Sequence, residues 1–500
     1  MVAAKVPPRG LSALRLSMAG LLLAALLHAW LHASVRPMFQ VSDEISYLAG
    51  LQQRIYATER AGTDVYVCAS PPEGIPLPVD AGGKPLFRWL GGLALRSLCA
   101  SGIPSTTVYW GLRLACGLTF PWLVLLTFLL SREVLPDQPT AWVAAAAVVA
   151  FQPLAATVSG GITPDSFANL LGATSLLLTT RLMLARSTRW ELALLPVSVV
   201  LALATKDTVA FLVPTLMVAV LLRGWQAAPQ ARSSRAVVAL AAATVLAAGW
   251  AALRVLPPTT LAGGAPGIGR GALALLTGAL AAASSQAWAV ARSMWMPLGN
   301  FGASTLELPD SLIVVPVLFV GLVCLGLARS WLPPDDSRLH RIGPLWAAGL
   351  LLCALQPAIR EVLVQLPDSY QGRWLFPMLP VMAVLATAGV GARVPRLLLL
   401  GLLLLATVAG LALVRVAGHY YLHFPGEVDA SRLFLRSSSG VPLDMHRLAL
   451  WVERPDLLRA PGPFLVAGLG WLAAIVMAMV GAARLALLPE TLHERHADDR

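Results

Sequence analysis

The sequence predicts an all-α polytopic membrane protein, and three observations carry that expectation. The 500 residues are 57% hydrophobic and only 13% charged, with a mean hydropathy of +0.71. Apolar runs of about 20 residues recur along the whole chain, each long enough to cross a bilayer as a helix. The arginines sit in short segments between those runs, where they set topology, rather than in a soluble basic domain. Spanning lipid requires every backbone polar group to be paired internally, which a helix does by itself. The net charge of +11 is therefore read as membrane topology, and no nucleic-acid partner is expected.

Taken in order, Lys5, Arg9 and Arg15 precede a first apolar run over 16–34. A cleavable signal peptide also begins this way, but the run is long for one, and an uncleaved first span with a cytoplasmic N-terminus is expected. A large outer loop follows at 35–106. Its middle is rich in Pro and Gly, and its later part, Pro85 to Cys99, mixes Leu86, Phe87, Trp89 and Leu90 with Arg88 and Arg96, the pattern of a helix lying on the interface. Spans are expected at 107–130, 140–159, 165–185, 190–205, 208–222, 236–256, 311–329, 344–366, 374–392, 396–417 and 463–487.

The Ala- and Ser-rich run 271–290 reads either as a span or as a surface helix, and charge decides. If it does not cross, Arg132, the groups Arg181–Arg186–Arg189, Arg223–Arg232–Arg235 and Arg329–Arg338–Arg341, and the pair Arg393–Arg396 all fall on the cytoplasmic side, as the positive-inside rule requires. That gives about twelve spans with both ends inside. Residues 1–256 are then an N-terminal transmembrane module, 257–310 an extracytoplasmic interfacial segment, and 311–500 a C-terminal module with an outer loop at 418–462.

This topology gathers the polar breaks in the apolar pattern onto one face, the extracytoplasmic one. They are Asp43-Glu44 directly after the first span, Gly160 to Ser166 with Asp165, the Lys206-Asp207 turn, Trp295 to Gly302 with Asn300, and Asp368 to Trp374 with Tyr370, Gln371 and Arg373. Each has a plain reading. Asp165 can cap a helix after Pro164. Lys206 and Asp207 can form a local ion pair. Arg373 can snorkel to headgroups, and Trp295 can anchor at the interface. Their convergence on one side favours function. A carboxylate at the membrane surface can take a proton from an attacking hydroxyl. Arg373 and Lys206 can neutralise charge on a leaving phosphate. Such a set suits transfer from a sugar carried on a membrane-anchored polyprenyl phosphate.

The residues also carry a resemblance. An acidic pair directly after span one, a large first outer loop and many further spans resemble the GT-C glycosyltransferase superfamily, and within it a family of bacterial polytopic membrane proteins. That family shows a Pro-x-Asp-Glu motif after span one, a Phe-Gly motif before a proline, and a Gln-Gly-Arg-Tyr/Trp-x-x-Pro motif opening a late span. This chain shows Ser42-Asp43-Glu44, then Asn300-Phe301-Gly302 with Pro309, then Gln371-Gly372-Arg373-Trp374-Leu375-Phe376-Pro377. It departs from the pattern at Ser42, where Pro is usual, and at Tyr47, in the aromatic or His position.

The resemblance implies inverting transfer of a sugar from a polyprenyl-phosphate donor to an extracytoplasmic glycan, lipid or protein, at a bacterial cytoplasmic membrane. Asp43 would be the catalytic base or acceptor-orienting group, with Glu44 supporting it. Lys206 and Arg373 would hold the donor phosphate, with Gln371, Tyr370 and Asn300 at the substrate. Asp165 would be a second acidic residue and a ligand for a divalent Mg or Mn ion, which some GT-C enzymes use. The rival classes are a flippase for lipid-linked sugars, a glycan ligase or polymerase, and a non-catalytic scaffold. A transporter would show internal repeats and mid-membrane polar residues, which this sequence does not. Cys68 and Cys99 share the first outer loop and could pair if it faces an oxidising compartment.

Overall fold

The computed structural model describes residues 8–35, 44, 47, 51, 85–103, 105–226, 297–301, 304–307, 312, 314–331, 338–364, 372–422 and 461–487. Among these the architecture is helical: α1 (Pro8–Val35), α2 (Pro85–Ala100), α3 (Ser105–Gly117), α4 (Thr119–Val134), α5 (Pro139–Ala150), α6 (Pro153–Ser159), α7 (Pro164–Met183), α8 (Arg189–Thr205) and α9 (Leu212–Gln226). After a short antiparallel hairpin, β1 (Pro297–Phe301) and β2 (Ser304–Glu307), come α10 (Val314–Trp331), α11 (Arg338–Val364), α12 (Leu379–Val390), α13 (Val394–Leu422) and α14 (Pro461–Ala486).

Among the described residues, five helices are long and apolar enough to cross a membrane: Gly10–Val35, Thr107–Val134, Val314–Trp331, Val394–Ala417 and Phe464–Ala486. The bent pair α5–α6 makes a sixth if counted as one span. The other expected spans in the described residues are helices too, but shorter or more polar. The expected span 236–256 and the run 271–290 lie outside the described residues.

Two local differences from the sequence expectation have physical causes. The expected continuous span 140–159 is broken between α5 and α6 with a bend of 61°. Pro153 cannot donate a helical hydrogen bond and clashes with the preceding turn, and the Gln152 side chain caps the new helix by accepting from the Ala155 N–H. The hairpin at 297–307 was not expected. Its strands are so short that periodicity carries no signal there.

The outer faces of α1, α10, α13 and α14 carry exposed leucines and valines, as a lipid-facing surface should, while α12 is buried along its length from Leu379 to Gly389. The helices approach each other through small residues. A Cβ on Gly20 of α1 would lie 2.5 Å from the Ala478 backbone nitrogen of α14, so only Gly permits that crossing. The amphipathic helix expected in the first outer loop is α2, which buries Phe87, Gly92 and Leu95 and leaves Trp89, Leu90 and Leu93 exposed. It packs against α3 and α8. Cys99 at its end is disulfide-bonded, whereas Cys116, Cys324 and Cys353 are free. The remaining cysteine, Cys68, lies outside the described residues.

At the end of the bundle expected to face the cytoplasm, Glu133 of α4 ties several helices together. It lies 3.7 Å from Arg181 and 3.2 Å from Arg186, and its backbone carbonyl accepts from Arg338 at 2.9 Å. Arg181 also pairs with Glu191 at the start of α8.

Candidate functional site

The opposite end of the bundle holds two buried polar centres. The first is built on Glu44. Its carboxylate is fully buried and accepts four hydrogen bonds. They come from Arg113 Nε to Oε1 at 2.9 Å, Arg113 Nη2 to Oε2 at 2.6 Å, Tyr109 Oη to Oε2 at 2.6 Å, and the Ile162 backbone N–H to Oε1 at 2.9 Å. Arg113 donates once more, to the Ala33 carbonyl near the end of α1, at 2.8 Å. Its guanidinium also lies over the Tyr109 and Trp110 rings, 4.8 and 5.0 Å from their centroids.

Three segments therefore meet on one carboxylate: the acidic loop, α3, and the turn before α7. Arg is the side chain suited to this, because its planar fork fills both carboxylate oxygens and still reaches a carbonyl. Both carboxylate oxygens thus face donors, with the guanidinium cation against them. Glu44 is thereby joined to α3 and to the turn before α7. Its neighbour Asp43 lies outside the described residues.

The second centre joins two turns. Asp165 is in the first turn of α7, which Pro164 opens, and Lys206 is the extended residue that ends α8. Lys206 Nζ lies 2.5 Å from Asp165 Oδ1 and 3.4 Å from the Tyr47 hydroxyl, with its charge 5.7 Å from the Tyr47 ring centroid. All three residues are buried. Lys206 pairs across 41 residues of sequence, and the Asp207 carbonyl accepts from Gln356 of α11 at 2.7 Å. The centres are linked, since Ile162, which donates to Glu44, lies three residues before Asp165.

Of the remaining expected site residues, Arg373 and Asn300 have described backbones. The Gly372–Met378 3-10 turn packs against α6, α7 and α11, and Gly172 of α7 faces Pro377 of that turn. Arg373 lies in the turn; its side chain, like Gln371 and Tyr370, lies outside the described residues. β1 packs on α6, and Asn300 pairs in register with Thr305.

As a metal ligand Asp165 fits poorly. It faces an ammonium, and among the described residues no three His, Cys, Asp or Glu side chains converge on a point. A divalent ion needs several such oxygen or nitrogen donors.

Sequence reasoning passed over Arg113 and Tyr109. The signal was available: Arg113 is a charge inside an otherwise apolar run, and such a residue is expected to be paired and purposeful.

Several solved structures are similar to the chain at low identity. The chain is similar to the Archaeoglobus fulgidus oligosaccharyltransferase in complex with Zn and sulfate, with 14% identity and a TM-score of 0.41 over 79% of this chain and 53% of that one. A second structure from that organism, AglB with an inhibitory peptide and a dolichol-phosphate, aligns at 13% identity with a TM-score of 0.40, over 92% of this chain and 55% of that one. ArnT from Cupriavidus metallidurans bound to undecaprenyl phosphate aligns at 16% identity with a TM-score of 0.44, over 95% of this chain and 77% of that one. The chain spans about half the length of the archaeal enzymes. No curated protein matches it in sequence. Residues 81–262, the interval that contains Tyr109, Arg113, Asp165 and Lys206, match the family described as dolichyl-phosphate-mannose-protein mannosyltransferase.

Proposed function

We propose that the chain is a GT-C-type membrane glycosyltransferase that moves a sugar from a polyprenyl-phosphate donor to an extracytoplasmic acceptor, a cell-surface glycan, lipid or protein. The membrane is the bacterial cytoplasmic one, with the site on its outer face. The observation that carries this reading is the coincidence of the family match with the two buried polar centres, since both lie at one end of the bundle within or against residues 81–262. The disulfide at Cys99 supports an outward-facing first loop, because such bonds persist in oxidising compartments.

In this reading the acceptor hydroxyl attacks the anomeric carbon from the face opposite the phosphate. Asp43, the sequence neighbour of Glu44, takes the hydroxyl proton. The bond from the anomeric carbon to the phosphate oxygen breaks, and the oxygen leaves with the electron pair. Lys206 and Arg373 meet the charge that grows on it. Inversion at the anomeric centre follows from a single displacement. Asp165 sets the position of Lys206, and Gln371, Tyr370 and Asn300 contact the substrates. No step is assigned to a metal ion, because the described residues do not assemble a site for one.

The test supplies purified protein with polyprenyl-phosphate sugars and membrane glycans, and compares the wild type with Asp43→Asn and Arg373→Ala. Loss of transfer in both is expected. Full activity in both would remove the site assignment, and a deletion strain with unchanged surface glycans would count against the enzyme reading itself.

A further inference from the structure

Several parts of the candidate site meet at α6. The turn that supplies the Ile162 N–H to Glu44 and carries Asp165 into α7 follows it directly. The 3-10 turn with Arg373 and the strand β1 with Asn300 both pack against it. Yet α6 is only seven residues long and leaves α5 at a bend of 61°. A helix that short is not stable by itself, so its direction is set by what it packs on.

One stretch of α1 supplies that support on both sides of the bend. His28 and His32 are one helical turn apart on α1 and wholly buried, inside a helix able to cross the membrane. Imidazoles at that depth are costly and call for a purpose. His28 Nδ1 donates to the carbonyl of Ala150 at 3.0 Å, and Ala150 is the last residue of α5. The last carbonyls of a helix lack an intrahelical partner, and satisfying them from a neighbouring helix is what permits a break within a bilayer. One turn further on, His32 Nδ1 and the buried Thr157 hydroxyl of α6 share a hydrogen bond at 3.2 Å. Past the end of α6, Gly160 closes on the α1 backbone, where a Cβ would lie 2.6 Å from the Ala29 carbonyl oxygen and 3.1 Å from the Ala33 nitrogen. The stretch from His28 to Ala33 therefore touches the end of α5, the body of α6 and the first residue of the turn beyond.

We infer that His28 and His32 are positioning residues. His28 holds the chain before the bend and His32 holds it after, and the two together fix the direction of α6 and the place of the Ile162–Asp165 turn. Their effect on sugar transfer rests on the function proposed above, whereas their hold on the bend does not.

The test uses the full chain in nanodiscs. His28→Leu and Thr157→Val each remove one of the two hydrogen bonds. His28→Asn and Thr157→Ser each restore it, because an Asn amide nitrogen stands where His Nδ1 does and Ser keeps the hydroxyl. Amide hydrogen exchange is read by mass spectrometry on peptides covering 160–166, beside the rate of transfer from a polyprenyl-phosphate sugar. In the Leu and Val variants, exchange at 160–166 should be about five- to tenfold faster, the usual worth of one hydrogen bond. Transfer should slow by at least that factor, since a reacting geometry is sensitive to small displacements. The Asn and Ser variants should recover both, and exchange across α12 should stay as in the wild type. Unchanged exchange at 160–166 would overturn the inference, and so would full transfer rates in the Leu and Val variants. Faster exchange in α12 as well, or no recovery with Asn and Ser, would mean a general loss of stability and overturn it too. Faster exchange confined to the turn and reversed by Asn and Ser, in a protein whose wild type transfers no sugar, would uphold the hold on the bend and count against the transferase reading instead.

Discussion

The buried pair Glu44–Arg113 makes a prediction whose sign is unusual. Glu44→Leu leaves a guanidinium with no exposure to solvent and strands the Tyr109 hydroxyl and the Ile162 N–H. An uncompensated buried charge costs about 3–5 kcal/mol, and each stranded donor adds about 1–3 kcal/mol, so the variant should lose at least about 5 kcal/mol. Arg113→Leu should lose about 3–4 kcal/mol, less because the carboxylate keeps two donors and can take up a proton. The double variant holds no buried charge, and only the stranded donors and the Ala33 carbonyl remain. It should lose about 2–4 kcal/mol and so be more stable than Glu44→Leu alone. Chemical unfolding of the four proteins in one detergent measures the cycle, with a coupling of about 3 kcal/mol or more expected. Additive losses, or either single variant within about 1 kcal/mol of wild type, would refute the idea that the pair clamps the acidic loop.

Three further outcomes follow from the geometry. Lys206→Met removes the ammonium that faces the buried Asp165 carboxylate and should cost about 3–5 kcal/mol; adding Asp165→Asn should restore most of that stability in melts but no sugar transfer, and restored transfer would deny Lys206 a role in the reaction. Gly20→Val drives a side chain into the Ala478 backbone and should lower stability by about 1–3 kcal/mol through separation of α1 from α14, which unfolding of the purified protein would report. Ala185, at φ 57°, ends α7 in the left-handed conformation, with the Arg186 N–H donating to the Arg181 carbonyl and its own N–H to that of Leu182. That arrangement favours Gly, so Ala185→Gly should raise stability by up to about 1 kcal/mol in the same unfolding assay.

What the sequence made legible was chiefly the membrane pattern. Helices stand where the apolar runs predict them, because the length needed to cross hydrocarbon leaves a signal about 20 residues wide. The α5–α6 break and the 297–307 hairpin did not stand out, the first because one proline sits in an unbroken apolar run, the second because four or five residues are too few to show a period. Asp165 and Lys206 stood out as charges in apolar surroundings, yet their pairing did not, since 41 residues and a whole turn of topology separate them. Arg113 was legible as a charge inside a span, whereas the other candidate charges lie at span ends. The paired histidines His28 and His32 are a similar case. They are one helical turn apart on α1 and wholly buried. Because the Ala150 carbonyl can only accept, His28 Nδ1 must carry the proton it shares at 3.0 Å.

The two buried pairs are chemically unlike, and the difference sorts their roles. In the first, a rigid fork meets both oxygens of one carboxylate, and the same guanidinium reaches a backbone carbonyl and stacks on two rings. Exchanging any partner would disturb all of them, so this pair suits a fixed frame. In the second, a compact ammonium on a flexible stem meets one oxygen of its carboxylate and leans on a tyrosine. An ammonium is a point charge that accepts a new anion with little change of geometry. In the proposed reaction a donor phosphate arriving at Lys206 competes with Asp165 for its charge, and the growing charge on the departing phosphate tips that contest further than the bound donor does. Interactions of that kind accelerate a reaction, whereas those made equally before and during it do not. The frame at Glu44 and the exchangeable cation at Lys206 are held in register by the short turn from Ile162 to Asp165, which is why loosening either pair should be felt at the other.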